Sequence, residues 1–186
     1  IENKTALKHL VDTNKIKPLK EELIVSQYNL LIDKASEHGF IHYEISNFGK
    51  EGFFSKHNTA YWNNKHYLGI GPSAHSYNEK SRRWNVSSNK QYIQKIRKGE
   101  NYFEVEKLTK NQQYNEYIFT SLRTMWGVDS KKIAKKFNTH ILNHYLTEIK
   151  KWEKKAYVKQ DDQVFKLTKI GQMFADRIAS DLFIIE

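Results

Sequence analysis

Apolar residues recur with helical spacing from Glu21 to Glu37, where Leu23, Ile24, Tyr28, Leu31, Ile32 and Ala35 share one side. Gly39 follows where a C-terminal cap belongs, so a helix is predicted to end near His38. The period then changes to two. Over residues 40–46, Ile41, Tyr43 and Ile45 alternate with His42, Glu44 and Ser46, which predicts a strand with one apolar and one polar row. A helix leading straight into such a strand points to α/β architecture, with the polar row turned toward a site or a barrel interior. Residues 47–71 mix glycine, polar and aromatic residues and read as loop, with a short strand over 66–70. Asn89 to Lys98 predicts a short helix with Tyr92, Ile93 and Ile96 inward, stopped at Gly99 and followed by a charged connector to Lys110.

Beyond that connector the pattern is helical. Thr109 with Gln112 three residues on has capping-box spacing, and Tyr114, Tyr117, Ile118, Leu122 and Met125 form the stripe of the helix that follows. Asp129 or Ser130 caps a short helix through Phe137, and Thr139 opens another with Ile141, Leu142, Tyr145, Ile149 and Trp152 on one side. Residues 156–159 and 164–167 read as a hairpin around a polar turn at 160–163. Thr168 then caps a last helix with Ile170, Phe174, Ile178 and Leu182 inward. This order predicts a winged-helix-like module over 110–186, after an α/β portion over 1–78 and a connector over 79–109.

Composition narrows the classes. With 186 residues, 39% hydrophobic and 13% aromatic, the chain can bury a core, while 28% charged residues and a mean hydropathy of −0.76 describe a soluble surface. No stretch is apolar enough to span a bilayer, and the first residues lack a signal peptide's order, so a cytoplasmic protein cut on its N-terminal side is expected. The absence of cysteine excludes disulfides and thiolate metal sites within these residues. A net charge of +10 suits an anionic partner, whether nucleic acid, a phosphorylated cofactor or a porphyrin bearing propionates, and suits a solvated lysine-rich surface equally well. His57, His66 and His75 are not spaced as a compact zinc site, and no Ser, His and Asp set identifies itself as a nucleophilic triad.

Candidate chemistry concentrates between Tyr43 and Ser76. There the chain reads Y-E-I-S-N-F-G, then His57-Asn58-Thr59-Ala60-Tyr61-Trp62, then Y-L-G-I-G-P-S-A-H-S. A histidine lone pair can ligate heme iron, and nearby aromatic rings can pack on the macrocycle; His57, Tyr61 and Trp62 offer both. The same residues serve equally as loop hydrogen bonders and core rings. Glu44 stands on the strand's polar row as a site carboxylate or a partnered structural one. Gly69 and Gly71 permit close backbone approach, so with Ser73 and His75 they are candidates to line a pocket, although paired glycines near a turn often serve geometry alone.

These motifs resemble the C-terminal part of the oxygen-independent coproporphyrinogen III oxidase-like radical SAM proteins, and more closely their heme-chaperone branch, HemW, with the H-N-x-x-Y-W motif carrying the closer likeness. The opening of the chain departs from the family's Glu-Pro-Gly-Thr pattern, reading Glu2-Asn3-Lys4-Thr5. The resemblance implies a C-terminal fragment of a TIM-type barrel, and a parent whose upstream Cys-x-x-x-Cys-x-x-Cys motif holds a [4Fe-4S] cluster and S-adenosylmethionine. It implies heme or porphyrinogen as the bound molecule and recipient heme proteins as partners. It also implies a candidate heme site at His57, Asn58, Tyr61 and Trp62, with His57 on the iron. Without cluster cysteines these residues alone are expected to be catalytically inert. A true oxidase, decarboxylating porphyrinogen propionates, is the alternative within the family. A winged-helix nucleic-acid binder is the alternative outside it, and a poor one: residues 139–145 are neutral or apolar where base-reading side chains belong, and lysines 150, 151, 154 and 155 gather at the other end of the helix.

Overall fold

The computed structural model describes residues 3–185. Helix α1, Ala6–Asp12, begins at Thr5, whose hydroxyl accepts the Lys8 N–H at 3.2 Å. Helix α2, Glu21–Glu37, starts with two glutamates at its positive end and stops at Gly39, whose φ of 75° lets the Phe40 N–H reach back to the Ala35 carbonyl at 2.9 Å. Strand β1, Ile41–Glu44, is shorter than the expected 40–46. The Glu44 carboxylate accepts the Ser46 N–H at 3.2 Å and the Asn47 side-chain amide, which turns the chain into β2, Asn47–Gly49, antiparallel to β1. Within the polar row Glu44 is buried whereas Ser46 is exposed. Tyr43 and Glu44, on opposite faces of β1, are each 2% exposed.

Residues 47–71 are less loop-like than expected. After β2, Ser55 caps helix α3, Lys56–Trp62, by accepting the Asn58 N–H at 3.3 Å. The expected strand over 66–70 reduces to one antiparallel bridge between Tyr67 and Tyr77. Strands β3, His75–Tyr77, β4, Ser81–Asn85, and β5, Phe103–Lys107, form an antiparallel sheet in that order. Charged residues on β4 and β5 conceal this sheet from a hydrophobicity reading. Between β4 and β5 lies α4, Asn89–Lys98, capped by Ser88 and ended by Gly99 as predicted, with Ile93 and Ile96 about half exposed rather than inward.

The C-terminal part holds the main core. Helix α5, Lys110–Leu122, buries Tyr114, Ile118 and Leu122; it ends before Met125, which is exposed. Strand β6, Val128–Asp129, leads into α6, Ser130–Lys136, and α7, Thr139–Lys154, which buries Ile141, Tyr145 and Ile149. Strands β7, Val158–Asp161, and β8, Val164–Leu167, form the hairpin; β7 lies two residues later than expected, which shortens the turn, β8 spans the expected residues, and the sheet order is β6-β8-β7. The last predicted helix is two: α8, Lys169–Gln172, and α9, Ala175–Leu182. Accordingly Ile178 and Leu182 are buried, whereas Ile170 and Phe174 are exposed.

Two strands of contact join the N-terminal elements to this core. The Ile45 N–H donates to the Arg123 carbonyl and the Met125 N–H to the Tyr43 carbonyl, each at 3.0 Å, so β1 bridges the turn after α5. Farther along α5, the Asn64 amide donates to the Thr120 hydroxyl at 2.8 Å and Arg82 pairs with Glu116. Helix α2, by contrast, has no fully buried residue, and Leu23, Ile24, Leu30 and Leu31 are 44–58% exposed.

Candidate functional site

Helix α3 carries the H-N-x-x-Y-W motif through its two turns, so His57 and Tyr61 stack one turn apart, as do Asn58 and Trp62. These four residues, with Glu44, Ser46 and Asn47 from the β1–β2 turn, wall a cavity of about 300 Å³. Two segments that residues 48–56 separate along the chain therefore converge on one concavity. Glu44 is held by its own turn, and Tyr28 donates its hydroxyl to the Ile45 carbonyl of that turn at 3.1 Å. Burial, and next the nearby Glu44 charge, push the Tyr28 phenol above its ordinary range.

His57 and Tyr61 also wall a second cavity of about 690 Å³, into which Gly69 and His75 bring the next part of the motif region. The Tyr61 ring, about half exposed, meets Trp62 edge-on at 5.6 Å and Tyr67 at 5.7 Å, and Tyr67 stacks on Tyr77 at 5.9 Å. A row of four aromatic rings thus runs from α3 to β3. Burial is the first cause that raises the Tyr67 and Tyr77 phenols, followed by Tyr61 for the former and Glu79 for the latter.

The glycine loop divides in two. A Cβ on Gly69 would overlap the His75 main chain, and the Gly69 N–H donates to the Ser76 hydroxyl at 3.0 Å. Gly71 has φ 102° and donates its N–H to the Tyr92 hydroxyl at 3.1 Å, while the buried Asn85 amide donates to the Gly71 carbonyl at 2.8 Å. Neither Gly71 nor the exposed Ser73, at φ 57°, walls the two cavities; both shape the loop that presents Gly69 and His75. Sequence reasoning missed Lys65, Arg82 and Phe119 on the larger cavity. Lys65 directly follows α3, whereas β4 and α5 bring in Arg82 and Phe119, which no spacing rule connects to the motif.

The donor set suits one kind of iron site and not another. Iron in a porphyrin needs only one or two protein ligands, because the ring supplies four nitrogens, and single imidazoles such as His57, His66 and His75 meet that need. Among the described residues no group of three or more His, Asp or Glu is arranged to hold a free metal ion. A [4Fe-4S] cluster does not fit these residues, for the chain has no thiolate to bind it.

Residues 108–174 match the family described as the HemN C-terminal domain. The chain is 31% identical over 179 residues to the heme chaperone HemW of Bacillus subtilis, covering 96% of this chain and 47% of the relative. It is 33% identical over 151 residues to the heme chaperone HemW of Lactococcus lactis, covering 81% of this chain and 40% of the relative. Among solved structures, the coproporphyrinogen III oxidase HemN from Escherichia coli, described as a radical SAM enzyme, aligns with a TM-score of 0.68 at 16% identity, over 89% of this chain and 42% of that one. The last likeness is one of fold. The chain spans about half the length of the curated relatives it matches.

Proposed function

Because the chain belongs to the HemN/HemW family and is related along nearly its whole length to HemW heme chaperones, we propose that it forms the C-terminal region of a HemW-like protein that binds and hands on heme. The observation that carries this reading is helix α3, which sets His57 and Tyr61 on one side, between two cavities, with Trp62 beside them. An unprotonated imidazole at His57 donates its lone pair to heme iron, Tyr61 and Trp62 pack on the macrocycle, and Asn58 and Glu44 line the smaller cavity beside them. Gly69 and His75 complete the wall; Gly71 and Ser73 support it. Arg82 and Lys65 provide cations where propionates would lie, although Arg82 is already paired with Glu116.

The rest of the relatives' length is where a cluster and S-adenosylmethionine would be held, with α2 and β1 as the last units of its barrel. The exposed apolar residues of α2 favour that placement. The succession α5, β6, α6, α7, β7 and β8 supports a winged-helix-like reading of residues 110–186. A cytoplasmic location is part of this proposal; no helix of the described residues is long and apolar enough to cross a membrane. The oxidase alternative draws support from the shared fold alone.

Heme titration followed in the Soret band tests the assignment. His57→Ala is expected to weaken heme retention and alter the band, whereas Lys151→Ala, which removes an exposed ion pair with Glu148 on α7, leaves both unchanged. Equal affinity and spectrum for folded His57→Ala and the parent chain would return His57 to a structural role.

A further inference from the structure

A cleft of about 760 Å³ shares the Trp62 indole with the smaller His57 cavity and none of that cavity's other walls. Tyr117, Trp126 and Phe137 add three more rings to its lining, so flat apolar surface is presented from α3, α5 and the segments flanking α6. Helix α6 contributes a cationic stretch of the wall, beside neutral residues such as Asn63, Asn64, Ser121 and Thr124. Lys132, Lys135 and Lys136 stand at i, i+3 and i+4 on α6, hence on one face of the helix.

The acidic groups at this cleft are already engaged. The Glu79 carboxylate holds the Lys136 ammonium at 3.0 Å, and the Asp129 carboxylate caps α6 by accepting the Lys131 N–H at 2.8 Å. Lys132 and Lys135 have no acidic partner among the described residues. A lysine face whose only task is solubility has no need of a concave wall with four aromatic rings opposite it. Two uncompensated ammonium groups beside such rings match a flat π-system that carries two anionic arms.

We propose that this cleft is a second binding site, taking a porphyrin dicarboxylate with its ring against Trp62 and Trp126 and its carboxylates on Lys132 and Lys135. The identity of the ligand rests on the heme-handling reading; the charge and the aromatic walls do not. The cleft offers no imidazole, so binding here requires no iron, which separates this station from the one at His57. The Trp62 indole, common to both sites, gives the molecule a continuous wall along which a macrocycle passes from one to the other.

Iron-free protoporphyrin IX is the probe, titrated into the full chain by quenching of tryptophan fluorescence, beside its dimethyl ester. The acid is expected to bind and the ester to bind at least about tenfold more weakly, as is the acid to Lys132→Glu/Lys135→Glu, in line with the loss of two ammonium–carboxylate contacts. Lys151→Ala on α7, which walls neither site, is expected to leave binding of the iron-free acid unchanged. Both lysines are exposed, and circular dichroism confirms that the double variant is folded. Equal affinity of acid and ester, or no effect of the double substitution, overturns the proposal, and so does displacement of the acid by a nucleoside triphosphate at comparable concentration. If heme titration of His57→Ala is unaltered while the porphyrin results hold, the His57 assignment fails and the cleft stands. If His57→Ala loses heme and the lysine substitutions do nothing, the reverse is true.

Discussion

Single side chains show where the chemistry of the chain departs from its packing. Tyr145 is fully buried, its ring edge-on to Phe165 at 5.6 Å, and its hydroxyl finds no partner among the described residues. A buried hydroxyl without a hydrogen bond costs stability, so Tyr145→Phe is expected to unfold at an equal or higher denaturant midpoint, by up to about 1 kcal/mol. Tyr145→Ala, which opens a cavity, is expected to lose about 3–5 kcal/mol in the same measurement. Glu44 shows the limit of reading a face from alternation. Its place in a polar row was plain in the sequence, but its burial and its grip on Ser46 and Asn47 depend on a turn that propensity does not reveal. Gly69 is similar: the residue was visible as permissive, while the reason for it, the passing His75 backbone, comes from a strand six residues on.

At the level of elements, legibility follows capping and period. Helices α2 and α4 were written in the sequence as a stripe closed by a glycine, α6 by its cap at Asp129, and α7 by its stripe. Strands β3 and β4 were not, since β3 is three residues long and adjacent Arg82 and Arg83 break the alternation in β4, while β5, which does alternate Phe103 and Val105 with Glu104 and Glu106, was absorbed into the charged connector. Helix α3 escaped for a different reason. Seven residues are too few for a periodic pattern to rise above aromatic loop composition. The start of α5 is the best-specified of these signals: the Thr109 hydroxyl accepts the Gln112 N–H at 3.2 Å while the Gln112 side chain accepts the Thr109 N–H at 2.8 Å. Thr109→Ala is expected to lower stability by about 1 kcal/mol in urea unfolding without changing the slope of the transition.

Across the whole molecule, burial is concentrated on the C-terminal side, and so is its response to pH. Burial raises the phenols of Tyr114, Tyr117 and Tyr145, Tyr117 to about 12. The unfolded chain releases these protons near pH 10 while the folded chain keeps them. Their contribution to stability is therefore intact below pH 10 and is lost as pH climbs through 12. Tyrosinate absorbance is expected to rise in two stages, exposed rings first and these three only with loss of the fold; smooth ionisation of all tyrosines with the fold retained would contradict it. The core, then, was legible because its residues lie on helices with clean stripes. The site was legible as a composition but not as a shape, because its walls come from α3, the β1–β2 turn, β3, β4 and α5.

The backbone bonds from Tyr43 and Ile45 to the turn after α5 have a further effect. They cover the side of β1 that β2 leaves open, next to alternating apolar residues of the kind that recruit strands from other chains. The tie that brings Glu44 to the candidate site thus also guards a two-stranded sheet against edge-to-edge association, and a substitution that loosened the 123–125 turn would expose the chain to aggregation before it altered any ligand contact.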